Sequence, residues 1–60
     1  MSATEEAVLG QARMRAIYRG ENEVMATTQA LDAIAKLRES LQGDEYQQAL
    51  DRLLAEYSKS

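Results

Sequence analysis

The chain has 60 residues, a formal net charge of −3, and neither cysteine nor histidine. That excludes disulfides and thiolate metal sites, and it removes the commonest transition-metal ligand and the commonest general base. The apolar fraction of 45% includes ten alanines, so large apolar side chains are few for a chain near the lower size limit of independent folding.

A single core of this size contributes no more than about 3–5 kcal/mol unless something reinforces it. With disulfides and metals removed, self-association is the reinforcement left, and a homodimer or a bound partner is expected. The start, Met1-Ser2-Ala3-Thr4-Glu5-Glu6, lacks the basic and apolar regions of a signal peptide. Nothing approaches the roughly 20 apolar residues that span a bilayer. The expectation is a cytoplasmic protein with no membrane partner. Charge is uneven: residues 1–20 balance to +1 and residues 21–60 to −4.

The first segment is predicted helical over 3–19. Ser2 with Glu5 fits a capping box, and Thr4 is a competing cap that would leave Glu5 and Glu6 in the first turn, where the helix dipole favours acids. Gly20 is the expected stop. The segment is apolar on two sides, Ala7, Gly10, Met14, Ile17 and Tyr18 forming one strip and Leu9, Ala12 and Ala16 another. Gly10 costs up to about 1 kcal/mol relative to alanine within a helix, or else permits a close backbone approach. This reads as the loosest element.

Asn22 is a plausible N-cap for the central helix, predicted over 23–42. Thr27, Ala30, Ile34, Leu37 and Leu41 repeat at spacings of 3 and 4, the seam of a helix facing another along its length. Val24, Leu31 and Ala35 widen that seam beyond what one short partner covers. Ala26, Ala30 and Ala33 would let a partner backbone come close. Asp32 and Lys36 form a favourable acid-before-base pair.

Gln42-Gly43 ends this helix, and Asp44 with Gln47 reads as a further capping box opening a third helix over 44–58. Tyr46, Leu50, Leu53 and Tyr57 make its seam, flanked by Ala49 and Leu54, and Ser58-Lys59-Ser60 is a polar tail. The short connection makes the second and third helices antiparallel neighbours with their seams facing. The predicted fold is therefore all-α, in a single domain over 1–60. A helical hairpin over 22–58 is preceded by a shorter N-terminal helix, and the three-helix unit associates into a homodimeric bundle.

Motifs that carry chemistry are missing. Glu21 with Glu23, and Asp44 with Glu45, are paired carboxylates, but both pairs fall at helix starts, where capping and the dipole account for them. Ser40, Thr27 and Thr28 have no histidine or cysteine to activate them, and there is no phosphate-cradling glycine loop. No catalytic residue, cofactor site or metal site is expected.

What remains is surface. Arg13, Arg15 and Arg19 cluster beside Tyr18, and Met14 and Met25 offer adaptable apolar contacts. These six residues are the candidate partner contacts. The bland explanation of the arginines is a solvated face that meets acids of the same chain or of a second copy. The expected function is a small non-enzymatic protein–protein interaction module, an adaptor, inhibitor or assembly subunit. The alternative is a nucleic-acid-binding regulator using the arginine stripe. It ranks second because the central helix opens Glu-Val-Met-Ala-Thr-Thr-Gln, without a base where a recognition helix needs one.

Overall fold

Three helices account for most of the chain: α1 over Glu5–Arg19, α2 over Glu23–Ser40 and α3 over Gly43–Tyr57, with no strand among the described residues. The structure is a computed structural model and describes residues 2–59; Ser60 of the polar tail lies outside them. No helix is long and apolar enough to cross a membrane.

Local chemistry sets most of the boundaries. Thr4 is extended at φ −108°, and its Oγ1 accepts from Ala7 N at 3.0 Å, so it and not Ser2 caps α1. At the other end Gly20 is left-handed at φ 70°, its N–H donating to Ile17 O while Glu21 N donates to Ala16 O at 2.8 Å. These two bonds satisfy the last carbonyls of α1 in a Schellman arrangement. Asn22 Oδ1 accepts from Met25 N at 3.0 Å and starts α2. Lys36 Nζ meets Asp32 Oδ2 at 3.0 Å on its exposed face.

The second connection differs from the expectation. Gly43 does not trail α2; it is the first residue of α3, at φ 56°, after an extended Leu41-Gln42 pair. Gln42 makes no side-chain capping bond. The amide of Gln47, expected in a capping box, is used elsewhere: its Nε2 donates to Ala3 O at 2.9 Å and to Asp51 Oδ1 at 3.0 Å. A partner distant in sequence has displaced a local one.

The larger correction concerns which helix is central. Of the three helix pairs, α1 with α2 is the most extensively packed, α1 with α3 follows, and α2 with α3 touches least. The first helix, expected to be the loosest element, is the one on which the other two converge. Val8, Ala12 and Ala16 form its buried stripe, and Ala30 of α2 is buried as well. Alanines let helix axes approach closely, so this pair gains contact area with little side-chain volume. The strip with Ala7, Gly10, Met14, Ile17 and Tyr18 is the one left in water. Gly10 has open space where a Cβ would lie, so no close approach explains it.

One side chain from each helix makes the centre of the core. Val8, Ile34 and Leu50 are each at most 2% exposed, joined by Ala3 and ringed by Leu9, Tyr46, Leu53, Leu54 and Tyr57. Burying each of the three central side chains is worth about 1.5–3 kcal/mol. Polar clasps close the same end of the bundle. Glu5 Oε1 accepts from Arg38 Nη2 at 2.6 Å and its Oε2 accepts from the Tyr46 hydroxyl at 2.7 Å, so one carboxylate on α1 holds the last turn of α2 and the first turn of α3. The hydrogen bonds from Tyr46 and then Arg38 hold the Glu5 carboxyl below its usual range. In return the carboxylate raises the Arg38 guanidinium and the Tyr46 phenol above theirs. Beside it Ala3 is strapped to α3, its N–H donating to Asp51 Oδ1 at 2.8 Å. That bond, with help from Gln47, lowers the Asp51 carboxyl.

Candidate interaction surface

The positions assigned to the hairpin seam all lie inside or at the margin of the bundle. Ala30, Ile34 and Leu50 are buried, while Thr27, Leu37, Leu41, Tyr46, Leu53 and Tyr57 are half-buried. They do not simply face one another, because α1 takes much of the surface of α2 and α3. Where α2 and α3 do meet, a shallow trough of about 450 Å³ remains between Ala33, Leu37, Ala49 and Leu53, rimmed by Lys36, Arg52 and Glu56.

The three arginines have separate environments. Arg13 Nε meets Glu23 Oε1 at 2.9 Å, an exposed pair that ties α1 to the start of α2. Arg15 lays its guanidinium over the Tyr57 ring, 4.7 Å from the centroid, a cation–π contact that joins α1 to the last turn of α3. Arg19, in the last turn of α1, is favoured there by the helix dipole. Glu23 is thereby occupied by Arg13, and Asp44 and Glu45 lie in the first turn of α3 as dipole-favoured acids. Among the described residues no group of three or more His, Cys, Asp or Glu is placed to hold a metal ion.

Four of the six candidate contacts converge. Met14, Arg15, Tyr18 and Arg19 line one side of a groove of about 270 Å³ whose other side is Tyr57, Ser58 and Lys59, with Gln11 at its end. Tyr18 is 80% exposed and Met14 43%. Arg15 and the Tyr57 ring form the floor contact between the two helices. Arg13 and Met25 stand apart, Arg13 beside Val24 and Thr28, and Met25 with Asn22 and Gln29. A second apolar surface lies on α2, where Val24 is 75% and Leu31 51% exposed. These are residues that widened the seam in the sequence, and α1 covers only part of that width.

Four contributors to the groove, Gln11, Tyr57, Ser58 and Lys59, are not among the contact residues expected from the sequence. Tyr57 belongs to the expected seam and Ser58 and Lys59 to the polar tail; the signal that places them here is the end of α3 running alongside the end of α1, which depends on the tertiary pairing. Comparison of the chain with protein-family models, curated proteins and solved structures finds no match.

Proposed function

We propose that the chain is a non-enzymatic protein–protein interaction module, an adaptor, inhibitor or assembly subunit that acts by presenting a helical surface, and that it also self-associates. The observation that carries this reading is the outward strip of α1. Met14, Ile17 and Tyr18 stand in water on a helix whose opposite stripe already fills the core. Large apolar side chains clustered on the surface of so small a protein mark a contact site, and methionine and tyrosine are enriched in such sites. The self-association rests on Val24 and Leu31, exposed on the outer side of α2.

The nucleic-acid alternative loses ground on the same surface. Arg13 is paired with Glu23 and stands apart from Arg15 and Arg19, so the expected three-arginine stripe is shortened to one helical turn. The net charge of −3 adds a general repulsion of phosphate.

The test is affinity capture from the native host with the tagged chain and with a Met14→Asp/Tyr18→Asp variant. A protein held by the first and not by the second supports the reading. Nuclease-sensitive capture of RNA or DNA replaces it with the alternative.

A further inference from the structure

The groove between the ends of α1 and α3 has an uneven charge that the rest of the molecule does not share. The chain has ten acids and seven bases, yet three of those bases, Arg15, Arg19 and Lys59, line this one groove, and among the described residues no acidic side chain does. Within the fold only part of that charge has a task. Arg15 covers Tyr57, and Lys59 Nζ lies 3.6 Å from Glu56 Oε2 in an exposed pair of little strength. The C-terminal ends of α1 and α3 also lie here and offset part of the positive potential. Arg15 and Arg19 nevertheless stand one helical turn apart, about 6 Å, as a row along one rim, with Lys59 across from them. Between these cations lie Met14, Tyr18 and the Tyr57 ring, the last partly covered by the Arg15 guanidinium.

From this we infer that the groove receives an acidic segment of a partner protein, one or two apolar side chains entering between Met14, Tyr18 and Tyr57 while flanking carboxylates meet Arg15, Arg19 and Lys59. The inference rests on the interaction-module reading and specifies its partner. About 270 Å³ is smaller than most small-molecule sites and suits one or two anchoring side chains. Arginine accepts a carboxylate in a two-pronged hydrogen bond, and tyrosine supplies rigid contact area with few rotors to freeze. A single-stranded nucleic acid would also use arginine and tyrosine, but it needs a groove that tracks several phosphates. Here the row of cations is one turn long, on a chain that is acidic overall.

Panning a random short-peptide display library on the full chain tests this, with the enriched peptides then made synthetically and titrated into isotope-labelled protein by NMR. The expected peptides combine Asp or Glu with Leu, Phe or Trp and shift the amides of Met14, Tyr18, Arg19 and Tyr57. Their affinity weakens with salt and falls at least about tenfold on Arg19→Glu and on Tyr18→Ser. Both substitutions are on exposed side chains, and circular dichroism verifies that helicity is kept. Peptides that enrich without an acidic bias overturn the inference. So does binding that maps to Val24 and Leu31, although the broader interaction reading then survives. No enrichment at all removes both. A mixed-sequence single-stranded oligonucleotide that binds with the same dependence on Arg19 gives the groove to nucleic acid and also overturns the inference.

Discussion

The Tyr46 hydroxyl donates to Glu5 Oε2 at 2.7 Å across 41 residues of chain, and the same carboxylate takes Arg38 on its other oxygen. A single side chain in the first turn of α1 therefore fixes the relative positions of all three helices. Glu5→Gln keeps an acceptor but removes the charge, and it should lower the melting temperature by a few degrees. Arg38→Met in the Glu5→Gln background should add little, because the two residues act as one unit. A double-mutant cycle by thermal denaturation measures that coupling.

Acid should weaken the fold through the same group and through Asp51. Both carboxyls are held below their ordinary values, Glu5 by Tyr46 and Arg38, Asp51 by the Ala3 amide and Gln47. The unfolded chain thus takes up these protons at a higher pH than the folded one. The stabilisation is complete above the usual carboxylate range and is lost as pH falls through and below about 4. Tyr46 works in the opposite direction: its phenol is raised, so its contribution is complete below the ordinary tyrosine value and is lost as pH rises past about 10. Melting temperatures across pH should show both flanks, and Glu5→Gln with Asp51→Asn should flatten the acidic one.

Val8→Ala tests the place of α1 in the core. Losing two buried methyl groups costs about 2 kcal/mol once the cavity is included. Because α1 is packed on both other helices, one cooperative transition should move to lower temperature, by about 4–8 °C per kcal/mol in a domain of this size. A two-step melt, with α2 and α3 persisting after α1 is released, would contradict the packing described. Ile34→Ala and Leu50→Ala, at about 2–5 kcal/mol each, should unfold much of the population.

Two glycines should respond in opposite directions to the same substitution. Gly20 is left-handed in the Schellman turn, and Gly20→Ala should cost about 1 kcal/mol. Gly10 lies in the middle of α1 with open space around its missing side chain, so Gly10→Ala should gain about 0.5–1 kcal/mol. Chemical denaturation of the two variants gives the signs directly.

The self-association proposed through the outer side of α2 would make the melting temperature rise with protein concentration. Val24→Glu or Leu31→Glu should abolish that rise while leaving the dilute-solution melt unchanged. Sedimentation of a monomer at every concentration would remove the proposal.

What the sequence disclosed was what depends on near neighbours. Asn22 and Gly20 were legible because capping is decided within a few residues, and Asp32 with Lys36 because a helix places them side by side. The three helices followed from spacing. Glu5, Arg38 and Tyr46 were not legible as a cluster, since nothing local distinguishes them from other charged or aromatic surface residues. Val8 fell outside both apolar strips read on α1, and alanines carry too weak a signal to reveal that Ala12 and Ala16 face inward. The groove was half legible: Met14, Arg15, Tyr18 and Arg19 share the end of one helix, but Tyr57 and Lys59 reach them only through the run of α3.

The strap from Ala3 to Asp51 also has a consequence for synthesis. During synthesis the Ala3 amide waits for Asp51 before it finds this partner, and Glu5 waits for Tyr46. A nascent chain that stops after α2 lacks Leu50, one of the three central core side chains, and lacks Asp51, Gln47 and Tyr46, which anchor Ala3 and Glu5. Each helix is local, but closing the bundle waits for α3, and contacts of such long reach slow folding relative to a bundle closed by adjacent turns. Until α3 is released, the side of α1 that α3 covers stays accessible to whatever else is present at the ribosome.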